Sequence, residues 1–292
     1  MAKKNILIFG GAGFLASHLA DELTKKSFNV TIFDKKKSSY LQEDQKMIVG
    51  DILDFKKVIK ACKNQDIIYH FAAVADLQKA NQIPLKTLNV NIFGTINILE
   101  ACIKNGIKKI IFASSIYARS QQGGFYSTSK LSSEMIIERY SEKYPIKYVI
   151  LRFGSLYGLR SNNSNPITNF IKEALLKKKI IRFSDGKETR SYINTSDLTK
   201  ICVDFLKKKY ENNHINILGN KTFSVRTILN LIKKIIPKTK IVYKNKKMTF
   251  NYKKNPFTYK IRKGTTIKLK NEVKLELALN KLVNELKKTV RH

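Results

Sequence analysis

Apolar residues fall along this chain in short continuous runs separated by amphipathic stretches. Residues 5–9 (NILIF) form an apolar run closed by glycines, which predicts a strand buried on both faces of a parallel sheet. Over the next stretch, 17–26, leucines continue a helical spacing set by Leu15, Leu19 and Leu23, predicting a helix that packs by one face. The alternation persists: strands are predicted at 29–33 (NVTIF), 45–49, 67–71 and 109–113, with helical patterns at 55–62 and 92–104 among them. Strand and helix taking turns predict an α/β fold built on a doubly wound parallel sheet. After about residue 158 the pattern changes. Helices are predicted at 167–178, 225–236 and 275–288, with a short strand at 180–183 and a strand and turn over 190–197. These suit a smaller α+β unit spanning 159–292, with one segment near 188–218 returning to the main sheet.

The turn after the first strand reads Gly10-Gly11-Ala12-Gly13-Phe14-Leu15-Ala16. From Gly11 this is G-x-G-x-x-A. The first glycine makes the turn, the second lets the backbone approach a pyrophosphate, and the small third residue lets helix pack on strand. A helix N-terminus placed there offers backbone N–H groups and partial positive charge to an anion. The second strand ends in Asp34, 21 positions after Gly13, where a carboxylate can hold ribose hydroxyls. Residues 1–158 are therefore expected to be a Rossmann dinucleotide-binding domain. Asp34 favours NAD, because a carboxylate repels a 2′-phosphate; Lys35, Lys36 and Lys37 follow at once and leave NADP open. Ligands of such sheets sit beyond the carboxyl ends of the strands. That rule singles out Asp51, His70, Ser114 and Ser115. For His70 a packing imidazole is the expected role.

Ser115 is followed by Tyr126-Ser127-Thr128-Ser129-Lys130, which opens a helix expected to reach about Tyr144. Tyrosine and lysine four apart share a helical face. A tyrosine with an ordinary value near ~10 is a poor base at neutral pH, but a nearby ammonium and a cationic nicotinamide both favour its phenolate. One cation at about 4 Å supplies roughly the 3 to 4 kcal/mol needed. Ser115 is placed to hydrogen-bond the same reacting hydroxyl or ketone. Tyr126, Lys130 and Ser115 are the candidate catalytic group.

Composition bounds the remaining readings. An apolar fraction of 43% over 292 residues supports a substantial core, and no run approaches the length of a membrane helix. The N-terminal residues lack the pattern of a secretory signal, so a cytoplasmic protein is expected. Cys62, Cys102 and Cys202 form no CxxC pair, and His18, His70, His214 and His292 are scattered; neither disulfides nor a metal site is expected. The formal charge is +34, and residues 212–271 contain no acidic side chain. Such a field attracts anions, and a surface for nucleic acid is one reading. The lysines are spread along the whole chain, which favours a compositional bias on an ordinary enzyme. Aromatics Tyr243, Phe250, Tyr252, Phe257 and Tyr259 interleave with basic residues over 241–270 and are expected to turn toward the core.

Taken together, FGGAGFLASHL (9–19), Asp34, GDILD (50–54), HFAA (70–73), NIFGTINILEA (91–101), FASSIY (112–117), YSTSK (126–130), LRFGSLYG (151–158) and ETRSYINTSDL (188–198) resemble the extended short-chain dehydrogenase/reductase superfamily in its NAD-dependent nucleotide-sugar epimerase/dehydratase branch. The resemblance covers nearly the whole chain. It implies that Gly10, Gly11, Gly13, Phe14, Leu15, Asp34, Asp51, Ile52, Phe71, Ala72, Ala73, Asn91, Tyr126 and Lys130 contact or support NAD. It also implies that Tyr126 is the acid/base, that Lys130 activates it, and that Ser114, Ser115 and Arg190 meet a nucleotide-activated sugar. Arg190 would face the phosphates. Residues 152–158 resemble the strand and loop leading into the substrate domain. Asp197 is expected to cap a helix. A homodimer through the helices at the sheet edge, including the Tyr126 helix, is likewise implied. Phe9 and Ala16 stand where the family usually has Thr and Gly. Only 11 positions separate Ser115 from Tyr126, a shorter substrate loop than usual, and Ile116 and Tyr117 replace the Asp-Glu pair of 4,6-dehydratases. Without that pair dehydration is poorly supported, and an epimerase, or a keto-sugar reductase, fits better.

Overall fold

In a computed structural model of the chain, residues 3–120, 122–244, 265–268 and 272–290 are described. The first half alternates as the sequence predicts: β1 (Asn5–Phe9), α1 (Phe14–Lys25), β2 (Asn29–Asp34), β3 (Gln45–Val49), α2 (Phe55–Cys62) and β4 (Ile67–His70). Two short helices, α3 (Leu77–Gln82) and α4 (Pro84–Leu88), lead through a π-helical segment at Asn89–Phe93 into α5 (Gly94–Lys104). Next come β5 (Lys109–Ser115), a 3-10 turn at Ile116–Arg119, α6 (Gly124–Lys143), β6 (Lys147–Phe153) and β7 (Ser155–Tyr157). The remainder gives α7 (Pro166–Lys177), β8 (Lys179–Arg182), β9 (Thr189–Asn194), α8 (Thr195–Asp204), β10 (Asn213–Leu218), β11 (Thr222–Ser224), α9 (Val225–Ile235), β12 (Lys240–Tyr243), β13 (Thr265–Lys268) and α10 (Leu275–Val290).

Eight strands make the main sheet in the order β13-β10-β6-β5-β4-β1-β2-β3, and every pairing in it is parallel. Alternate residues of each strand feed two cores. Ile6 and Ile8 of β1 join Leu19 and Leu198 on the α1/α8 face; Leu7 and Phe9 join Val58, Ile98 and Ile137 on the α2/α5/α6 face. This is the period of two expected of a strand. Near β5, β6 and β10 the second face turns polar: Ser114, Arg152, His214 and Asn216 continue the alternation and are all buried.

A third core lies in the C-terminal part, where α7, α9 and α10 bring Phe170, Ile171, Leu229, Ile232, Leu279 and Val283 together. β10 pairs with β6 in the main sheet, while β13, which has no counterpart among the predicted strands, adds the outer one. Arg160 joins the segment after β7 to α1: Nη2 donates to Asp21 at 2.7 Å and the guanidinium lies 4.4 Å from the Tyr40 ring centroid. The basic aromatic stretch lies outside the described residues except at its two ends. Within it Tyr243, expected to turn toward the core, is instead exposed, and Arg226 stacks on its ring.

Candidate active site

The chain reverses its direction across the sheet between β1 and β4, and the loops after these two strands lie against each other. Gly10 has φ +80°, and a Cβ there would sit 2.5 Å from the Ala72 backbone nitrogen, so only glycine permits the contact. Gly13 is the N-cap of α1, and no side chain caps the first amides of that helix. They are left for an anion. Leu15 packs its side chain into the core and has only its backbone to offer, whereas Phe14 remains partly exposed with its ring 6.4 Å from that of His18. Asp34 ends β2 with its carboxylate accepting from the Ala12 and Lys36 amides, both at 3.2 Å. Lys35 pairs with Asp51 at 2.7 Å. Burial works against Asp51 ionising, but Lys35 and the Leu53 N–H outweigh it and hold the carboxyl below its usual range. Ile52 is buried under Gly94, while Phe71, Ala72 and Ala73 remain partly exposed along the rim. A glycine turn without room for Cβ atoms, an uncapped helix and a carboxylate at the second strand together fit a dinucleotide.

Ser115, Tyr126 and Lys130 meet at the carboxyl end of β5. The Ser115 hydroxyl accepts from the Tyr117 amide at 3.2 Å and lies near enough to the Tyr126 phenol to favour its ionised form. Lys130 is 3% exposed; its Nζ donates to the Ala113 carbonyl at 2.7 Å and lies 4.7 Å from the Phe112 ring centroid and 6.0 Å from that of Tyr126. The expected lowering of the tyrosine is not what the protein alone produces. Burial pushes Tyr126 up to about 12, against the pull of Ser115. Burial also brings Lys130 down to about 7, against the Glu134 carboxylate. An ammonium beside the phenol favours phenolate, but the desolvation of both partners, which spacing along a helix does not reveal, works the other way.

The other expected residues separate into two groups. Asn91 sits in the π-helical segment, where an extra residue per turn re-aims side chains. Its Oδ1 accepts from the Val74 amide at 2.7 Å and its Nδ2 donates to Ser129 Oγ at 2.8 Å. It thus ties the β4 loop to α6. Ser114, expected beside the substrate, instead donates to Glu134 Oε1 at 2.5 Å, because strand alternation turns it toward α6. His70 is a packing residue as expected: Nε2 lies 2.9 Å from Thr95 Oγ1, and burial followed by Lys130 holds the imidazole well below its ordinary value. Arg190 is buried in β9 with Nη1 donating to the Thr189 carbonyl at 2.8 Å. Asp197 does not cap α8. Asn194 does so, accepting from the Ser196 amide, while Asp197 lies in the first turn and accepts from the Val273 amide at 3.2 Å. Asn81 of α3, a helix absent from the sequence reading, accepts from the Phe125 amide at 3.0 Å and so pins the short loop ahead of Tyr126.

Beneath Lys130 runs a polar network that sequence reasoning missed. Arg152 donates from Nε and Nη2 to Glu134 at 2.9 and 2.6 Å, and from Nη2 to His214 Nδ1 at 2.7 Å; His214 Nε2 meets Glu138 at 2.7 Å. One signal was available: Arg152 interrupts the otherwise apolar strand KYVILRF, and Glu134 lies one further turn along the face of Tyr126 and Lys130.

Among the described residues no group of three metal-ligating side chains comes together and no helix is long and apolar enough to cross a membrane. The model of the NAD dependent epimerase/dehydratase family matches residues 6–217. A Methanocaldococcus jannaschii protein, provisionally named UDP-glucose 4-epimerase, is 28% identical over 98% of this chain and 99% of its own. The UDP-N-acetyl-alpha-D-glucosaminuronate decarboxylase of Bacillus cytotoxicus is 31% identical over 77% of this chain and 78% of its own. In fold the chain is similar to the crystal structure of the Thermus thermophilus UDP-glucose 4-epimerase in complex with NAD: TM-score 0.82 at 21% identity, covering 97% of this chain and 99% of that one.

Proposed function

Since the chain belongs to the NAD-dependent epimerase/dehydratase family, we propose that it is a nucleotide-sugar epimerase that inverts C4 of the sugar through a transient ketone. The observation that carries this reading is the convergence of Ser115, Tyr126 and Lys130 at the carboxyl end of β5, the same end of the sheet as the glycine turn after β1, two strands away. The relatives named above act on nucleotide sugars by name, which supports the substrate class. Dehydration is disfavoured because Ile116 and Tyr117 offer no carboxylate pair to eliminate water.

Gly10, Gly11, Gly13 and the first amides of α1 would hold the pyrophosphate of NAD, and Asp34 its adenosine ribose. The chemistry NAD contributes when bound is reversible acceptance of a hydride from the sugar carbon. The protein's own task is the proton. Tyr126 Oη takes it from the reacting hydroxyl and returns it, and Ser115 Oγ orients that oxygen. Lys130 supplies positive charge below the phenol, and the apolar wall of Phe112 excludes water from that side. With Tyr126 pushed up to about 12 by its burial, the Lys130 ammonium is the protein's own group favouring phenolate, and a cationic nicotinamide, when bound, would act in the same direction. The C-terminal part, 159–292, with Arg190 at its junction, is the proposed binding region for the nucleotide and sugar. We also infer a homodimer built on α4, the π-helical segment and α6, which cover the middle of one face of the sheet and not its edge, since Leu85, Phe93 and Met135 are large apolar side chains left 74%, 58% and 50% exposed there.

The test is to incubate the purified protein and its Tyr126→Phe variant with a panel of UDP- and dTDP-sugars and NAD, reading products by proton NMR. The reading expects interconversion of one C4-epimeric pair by the wild type and a loss of about 10²–10⁴ in kcat in the variant, with NAD binding retained. Net reduction of a keto-sugar without epimerisation would replace it with a reductase.

A further inference from the structure

Glu134 has no exposure and no place in the proton transfer described above, yet it is the residue around which the polar groups behind the site are arranged. It lies four residues after Lys130 on α6, so both side chains occupy one helical face. Its carboxylate accepts from Ser114 of β5 at 2.5 Å and from Arg152 of β6 at 2.9 and 2.6 Å. Arg119, from the 3-10 turn, brings its Nε within 3.8 Å. Three elements besides α6 thus contribute a group to Glu134: β5, β6 and the 3-10 turn. From β10 comes His214, which burial and then Arg152 hold below its ordinary value; Arg152 donates to its Nδ1, so its Nε2–H donates to Glu138. From β4 comes His70, neutral through burial. Lys130 itself is bound to the Ala113 carbonyl and is not in an ion pair with Glu134.

An ammonium buried this deeply loses most of its hydration, and a neutral carbonyl returns only part of it. The negative charge nearest along its own helix is Glu134. We propose that Glu134 is a positioning residue for the acid–base pair: its carboxylate, fixed by Arg152 and Ser114 one turn beyond Lys130, supplies a field that favours the ammonium form of Lys130 beneath Tyr126 against its burial. The proposal rests on the Tyr126–Lys130 reading given above. Arg152 holds the carboxylate in place while offsetting part of its field, and the pairing satisfies a guanidinium 1% exposed in the middle of a sheet. The direction in which burial and Glu134 act on Lys130 agrees with this geometry.

The test follows Lys130 directly. Full-length protein labelled with 13Cε-lysine is titrated by NMR with and without NAD, the Lys130 resonance being assigned by its loss in Lys130→Met. In Glu134→Gln, which keeps shape and removes charge, the titration midpoint of Lys130 falls by about one pH unit or more. In Glu134→Asp, which keeps charge and changes shape, it stays near the wild-type value. With an active enzyme, Glu134→Gln also lowers kcat several-fold at neutral pH while KM for the sugar nucleotide stays put. Should Glu134→Gln not fold, the same change in an Arg152→Gln background, compared with Arg152→Gln alone, isolates the charge. An unmoved midpoint in the folded Gln variant, or equal shifts in Gln and Asp, overturns the proposal. A protein that converts no nucleotide sugar defeats the functional reading but leaves this titration decisive.

Discussion

At Lys130, 3% exposed, burial draws an ammonium that ordinarily titrates at 10.5 down to about 7. Its folded value is depressed, so between pH 7 and 10.5 the unfolded chain binds more protons than the native one, and stability attributable to this residue rises with pH across that window. Below pH 7 the full cost of burying the charge is present. Lys130→Met is therefore expected to be inactive yet more stable than wild type, by up to a few kcal/mol at about pH 7 and by less at about pH 9, in urea denaturation at the two pH values. A variant less stable at both would show that the lysine is a structural asset. Tyr126, Lys130 and Ser115 were legible in the sequence because their spacing follows a strand ending and a helical turn. Glu134 and Arg152 were not, because their partners stand 18 and 20 residues away across α6, β5 and β6, and only the fold brings them together.

Among the elements, the strands are the most legible, because a strand buried on both faces needs a continuous apolar run and little else satisfies it. β1, β3 and α2 have the expected limits; β5 runs two residues further than expected, so that Ser114 and Ser115 lie within it. The long helix α6 has no apolar stripe to read. Its buried face carries Tyr126, Ser127, Ser129, Lys130, Ser133 and Glu134 before the single apolar Ile137, and only its chemistry marks it in the sequence. Ser129 and Ser133 bond to the Asn91 side chain and to its carbonyl. The π-helical segment left no mark on periodicity, since it shifts the register by a single residue. Asn91→Ala removes the acceptor of the Val74 amide and the donor to Ser129, at an expected cost of about 1–3 kcal/mol. Thermal denaturation measures that cost, and activity should fall further than stability because the β4 loop and the catalytic helix lose their tie. Equal stability would deny Asn91 that role.

For the molecule as a whole, the sheet order places the loops of β1 and β4 at the point where the winding reverses, and the site follows from it. The +34 charge plays no part in placing it. Lysines stand in the last turns of α1, α2, α5, α6, α7, α9 and α10, where cations complement helix dipoles, and this accounts for part of the excess without a nucleic-acid partner. The proposed dimer is testable at the same scale: Phe93→Glu, placing a charge in a side chain 58% exposed, should turn a dimer into a monomer in light scattering after size exclusion without loss of the fold. A wild type that is itself monomeric at micromolar concentration would remove the dimer from the account.

The central claim, reversible oxidation at C4 by the Tyr126 site, meets its most direct test in a nucleotide sugar deuterated at C4. Incubated with enzyme and NAD in ordinary water, the C4 epimer produced should retain its deuterium at C4, because the same hydrogen leaves and returns without exchanging with solvent. Loss of the label to water, or inversion at another carbon, would contradict it.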